Sequence, residues 1–89
     1  MVSVKRIVLD VLKPHSPSAL EFSTSIAEVG NDYHVHLTVI EMDENTETLQ
    51  IIVESESIDL VAIQSAIDGM GGSLHSIDEV EVKNEADTE

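Results

Sequence analysis

Two apolar stripes of identical spacing, each set between strand-like segments, constrain the fold of this chain most. Ala19, Phe22, Ile26 and Val29 recur at steps of three, four and three, and Leu60, Ile63, Ile67 and Met70 repeat those steps. That spacing places one apolar face on each of two helices. Ahead of the first stripe, Ile7-Val8-Leu9 and Val11-Leu12 form the heart of a strand expected over about Val2 to Lys13, and so continuous an apolar run suits a central strand. Between the stripes, Val35, Leu37 and Val39 alternate with His34, His36 and Thr38, and Leu49, Ile51 and Val53 alternate in the same way. Two strands are therefore expected over about 33–42 and 47–54, joined as a hairpin at Asp43-Glu44-Asn45. A fourth strand is expected from about Ser73 to Val82.

The order is β-α-β-β-α-β. Right-handed crossovers close it into an α+β, ferredoxin-like sandwich: a four-stranded antiparallel sheet with two helices on one face. The first and third strands are central, the second and fourth are edges. Ser16 is expected to cap the first helix with Pro17 in its first position, and Gly30 to end it. Ser57 or Asp59 caps the second, which Gly69, Gly71 and Gly72 terminate. Residues 1–82 thus make one domain, with 83–89 as an acidic, disordered tail.

Alternation also divides the strand residues between two faces. Ile7, Leu9, Val11, Val35, Leu37, Val39, Leu49, Ile51 and Val53 are assigned to the helix side. Val8, Leu12, Ile40, Met42 and Ile52 then fall on the open side with Arg6, Asp10, Thr38, Gln50 and Glu54. Such a face is half apolar, and pairing with a second subunit is its first reading. A small-ligand pocket comes second, and scattered exposure is the bland alternative.

Charge narrows the partners. Eighteen acids against four Lys or Arg give a formal charge of −14, which repels nucleic acid and anionic lipid. The acids are spread along the chain, as expected of a surface adapted to a concentrated-salt cytoplasm. With no cysteine, disulfides and thiol chemistry are excluded. No apolar run approaches the roughly 20 residues of a membrane span, and Met1 to Arg6 carries no signal-peptide pattern, so a cytoplasmic location is expected.

Three blocks carry a family resemblance. Arg6-Ile7-Val8-Leu9-Asp10-Val11-Leu12-Lys13-Pro14-His15-Ser16-Pro17, Glu41-Met42-Asp43-Glu44-Asn45-Thr46-Glu47 and Gly71-Gly72-Ser73-Leu74-His75-Ser76-Ile77-Asp78-Glu79-Val80 stand in order over about residues 4 to 82. Together they resemble the archaeal domain-of-unknown-function 211 family. The resemblance implies a ferredoxin-like fold and homo-oligomers, and it brings no activity. The chain departs from that pattern chiefly in its acidity and in Asn31-Asp32-Tyr33-His34.

Three groups of residues invite chemistry. Lys13, His15 and Ser16 lie in a strand-to-helix loop, where free backbone N–H groups favour a small anion such as phosphate or carboxylate. The bland reading is punctuation, with a solvated His15. Asp10, His75, Asp78 and Glu79, with His15 nearby, are expected to share one edge of the sheet. Such a set suits a divalent cation (calcium, magnesium or manganese). Its bland reading is a strand-end Asp, a packed His and surface acids. His34 and His36 share a face, about 6–7 Å apart at the base, within reach of one metal ion or of an assembly interface; exposed strand histidines are the plainer account.

No nucleophile with an arranged base is evident, so no catalytic residue is assigned and an enzyme is the less favoured class. The leading expectation is a cytoplasmic homo-oligomeric module that binds a ligand or ion and acts by regulation. Its contact with itself would run through edge strands or the open face. A small metal-assisted enzyme and a passive structural oligomer are the alternatives.

Overall fold

A computed structural model describes residues 1–85 of the chain. Its elements are β1 (Val2–Pro14), α1 (Ala19–Ala27), β2 (His34–Met42), β3 (Thr46–Glu54), α2 (Leu60–Gly69) and β4 (Ser73–Asn84). One antiparallel sheet runs in the order β2-β3-β1-β4, so the order and edges are those expected from the pattern. β4 continues through Lys83 and Asn84, two residues past the expected end. It does so because Val2 and Ser3 of β1 supply paired partners there. Residues 86–89 of the expected tail lie outside the described residues.

The core sits between the helices and one sheet face. Ile7, Leu9 and Val11 of β1 and Leu49, Ile51 and Val53 of β3 are buried there, meeting Phe22 and Ile26 of α1 and Ile63 and Ile67 of α2. Val35 and Leu37 pack against this cluster half-buried. Val39, in register with Leu49, is on the same side but exposed.

The helix starts depend on small polar residues. Ser18, not Ser16, caps α1: its Oγ accepts from Glu21 N–H at 3.2 Å, and its own N–H donates to Glu21 Oε1 at 3.2 Å. Pro17 therefore precedes the cap instead of opening the helix. Asp59 caps α2 through Ala62 N–H. Gly71 adopts φ +83°, and Gly72 lies where a Cβ would come within 2.9 Å of Phe22 Cζ.

The sheet outruns its helices. Ten residues of α2 span about 15 Å, whereas the twelve of β4 span about 40 Å. The molecule is correspondingly elongated, 56 × 22 × 17 Å. Cover is lost along β4, from half-buried Leu74 to Ile77 at 43%, Val80 at 54% and Val82 at 50% exposure. Ile77 pairs with Leu9 and Val80 with Ile7, so these side chains lie on the helix side of the sheet, beyond the helices.

Candidate functional site

Lys13 lies on the helix side of β1, opposite Glu47 of β3, and is fully buried. Its ammonium has three N–H groups for four oxygens: Glu47 Oε1 at 3.0 Å, Pro17 O at 2.7 Å, Pro14 O at 2.9 Å and His15 O at 3.4 Å. Glu47 is nearly as buried, and its second oxygen meets His15 Nδ1 at 3.0 Å. The other ring nitrogen, Nε2, meets the carbonyls of Glu44 at 2.9 Å and Asp43 at 3.1 Å. The Glu47 contact, with the Glu44 carbonyl next in weight, raises the His15 pKa above its ordinary value. His15 and Lys13 in turn hold the Glu47 carboxyl below the usual range. Ser16 is exposed beside this group. An anion arriving at the loop would find the Lys13 donors turned inward and the start of α1 already served by Ser18 and Glu21.

The open face holds the second group. Bulges in the β1/β4 ladder fall between Val8 and Leu9 and between Asp10 and Val11, leaving Asp78 and His75 of β4 without direct partners. His75 Nδ1 comes within 3.3 Å of Asp10 Oδ2, and the pair borders a cleft of about 230 Å³ with Leu12 and Thr48. The other two residues of the expected metal set face different work. Asp78 accepts from Ser76 Oγ at 2.8 Å, and Glu79 is held by Arg6 Nε at 2.9 Å. His15 is drawn to Glu47 and the β2–β3 turn. Among the described residues, no group of three or more His, Asp or Glu is gathered closely enough to hold a metal ion. His34 and His36, in register with Glu54 and Ile52, are exposed on the β2 edge.

Of the apolar residues assigned to the open side, Leu12 is exposed and Ile52 half-buried, whereas a bulge leaves exposed Ile40 without a direct partner and puts exposed Met42 opposite Glu47, on the helix side instead. Val8 is only 6% exposed, lying between Ile52 and Glu79 in neighbouring strands. Beside it, Arg6 joins Glu79 of β4 to Glu54 of β3, the latter at 2.6 Å from Nη1.

A third feature was not anticipated from the sequence. Lys5, Arg6 and Lys83, three of the four Lys and Arg residues, line one open cleft of about 530 Å³ at the far end of the sheet. Its acids include Glu54, Glu81 and Glu85, and Lys5 is held by Glu85 at 3.0 Å and by Glu56 O at 2.6 Å. On the same wall Asp32 accepts Glu56 N–H at 2.9 Å and Ser55 Oγ–H at 2.7 Å, contacts that lower its pKa. Asp59 N–H donates to Tyr33 Oη at 2.7 Å, so Asp32 and Tyr33 together pin the β3–α2 loop. Asp32 and Tyr33 thus have a structural use. Only folding brings positions 5, 32, 56 and 85 together, and no local motif announces them.

The family model DUF211, described as "Uncharacterized ArCR", matches residues 5–86. The chain belongs to the DUF211 family. The match takes in every helix and strand of this DUF211 protein apart from the first residues of β1. A relative from Methanocaldococcus jannaschii, "Uncharacterized protein MJ0319", is 40% identical over 80 residues, 90% of this chain and 82% of its own length. Neither description assigns an activity, so the surfaces of this DUF211 member carry the functional reading. No helix among the described residues is long and apolar enough to cross a membrane.

Proposed function

We infer that the protein is a cytoplasmic, homo-oligomeric module that binds a small ligand or ion and acts through its contacts, with an acidic surface adapted to high salt. The observation that carries this reading is the uncovered strip Ile77, Val80 and Val82 on the β4 edge. An edge strand already offers free backbone N–H and C=O groups, and natural proteins normally blunt such edges with charge, Pro or cover. Here β4 carries Asp78, Glu79, Glu81 and Lys83, and alongside these charges it presents a row of apolar side chains on its helix side. The opposite edge, β2, carries exposed Val39, Ile40 and Met42. Both edges therefore offer apolar contact to a second copy, and the small core of an 89-residue chain gains from such burial. The formal charge of −14 opposes association at low ionic strength and is screened in molar salt.

Light scattering in 2 M KCl tests the reading. An oligomer in the native chain and a monomer in Val80→Lys, with circular dichroism unchanged, is the expected result; a native monomer would contradict it.

The ligand or ion would sit at the Asp10–His75 pair. Asp10 Oδ2 lies 3.3 Å from His75 Nδ1, and the apolar side of the adjacent cleft, with Leu12, suits a small molecule of mixed character. A divalent cation there would need Asp78, Glu79 or a second copy to complete its oxygen ligands. Calorimetric titration with calcium, magnesium and manganese separates the possibilities. Heat abolished by Asp10→Asn supports the ion, whereas no heat with any of them removes it.

A further inference from the structure

The charge group at the other end of β1, with Lys13 and Glu47 buried and the His15 ring open to solvent on one side, has a use independent of self-association. We propose that Lys13, Glu47 and His15 form a proton-operated latch between the β1–α1 loop and the β2–β3 turn, closed while His15 is an imidazolium and released when it loses its proton.

The reasoning is geometric. A neutral imidazole has one N–H and one lone pair, and only the imidazolium donates from both nitrogens. Both nitrogens of His15 face acceptors: a carboxylate oxygen at Nδ1 and two backbone carbonyls at Nε2. A neutral ring must therefore turn a lone pair either to the Glu47 carboxylate or to the turn carbonyls. The first case is the more repulsive, because Glu47 is ionised and nearly buried. Lys13 cannot move to relieve it, since its ammonium is held by Glu47 and by three carbonyls of its own loop.

The charged groups around His15 come from each packed element. β1 brings Lys13, β3 brings Glu47, and the turn brings Asp43 and Glu44, whose carbonyls take Nε2. The Glu47 carboxylate and the two turn carbonyls all favour the protonated ring. Lys13 ties the loop to β3 whatever the pH, whereas the contact from the loop to the turn carbonyls runs through the His15 ring, so the His15 proton governs that second tie.

The sign follows from linkage. The His15 pKa is raised, so its stabilising contribution is complete below the ordinary histidine value and disappears as pH rises through the folded value. The Glu47 pKa is lowered, so its contribution is present above the ordinary carboxylate value and disappears as pH falls through the folded value. The latch is closed between these two limits and opens on the alkaline side through His15.

Nuclear magnetic resonance of the full chain in molar KCl, from pH 5 to pH 9, reads both halves of the device. The ring nitrogens of His15 report its protonation. The Asp43 amide, which donates to Thr46 O at 2.8 Å, reports the turn. At pH 6 both ring nitrogens are expected to be protonated. Exchange of the Asp43 amide, corrected for its intrinsic pH dependence, is expected to rise about tenfold through the His15 midpoint. Glu47→Gln should move that midpoint down, and His15→Gln should leave Asp43 protection flat from pH 6 to pH 9. If Glu47→Gln does not fold, the native titration and His15→Gln still decide. A neutral His15 at pH 6, or Asp43 protection that ignores the His15 midpoint, would overturn the latch.

Discussion

Lys13 is the residue whose role changes most between pattern and structure. In the sequence it ends an apolar run beside Pro14, the usual position of a strand-terminal surface charge. Its partner Glu47 lies 34 positions away and is brought opposite only by the antiparallel β1/β3 register. A buried pair that loses one member strands the other charge in a dry site. Lys13→Ala is accordingly expected to lower the urea midpoint sharply at pH 7, and more than Lys83→Ala on the exposed end of β4. Gly72 makes the complementary case for close packing. A methyl there would press on Phe22 Cζ and come within 3.0 Å of Ile67 Cγ2, two core side chains with little room to give. Gly72→Ala should cost about 1–3 kcal/mol, measured by equilibrium denaturation.

At the scale of elements, the regular patterns were legible and the irregular ones were not. Steps of three, four and three located both helices, and period-two alternation located β2 and β3. The start of α1 was displaced by two residues, because Ser16 and Ser18 are both good caps and only Ser18 has an acid three positions on to close the box. Ser18→Ala should therefore cost about 1 kcal/mol and Ser16→Ala close to nothing, a contrast that thermal melts can read. β4 was harder for a physical reason. Its apolar residues Leu74, Ile77, Val80 and Val82 are spaced three, three and two, which fits neither a simple strand nor a helix. The two bulges resolve this by absorbing His75 and Asp78, so that Leu74, Ile77 and Val80 come onto one face. The same bulges scatter the expected metal set: His75 turns to Asp10, Asp78 to Ser76 and Glu79 to Arg6. Which acids and histidines meet was thus hidden by register, which local sequence does not encode.

For the whole molecule, length mismatch and charge govern behaviour. Helices of nine and ten residues cannot cover strands of thirteen and twelve, so part of the apolar inventory remains at the surface however well the core packs. The sequence pattern shows the apolar residues but not where helix cover stops, and this is why Val80 and Val82 emerge only from the coordinates. A chain with eighteen acids and a formal charge of −14 repels itself and a second copy. The melting temperature is expected to rise steeply between low-salt buffer and molar KCl, and a flat response would remove the high-salt reading. The same screening should promote assembly. Sedimentation equilibrium of the native chain and of Val80→Lys in 2 M KCl is the most direct measurement: the uncovered β4 edge predicts a multiple of the 9.7 kDa chain mass for the first and 9.7 kDa for the second, while equal masses for the two would contradict it.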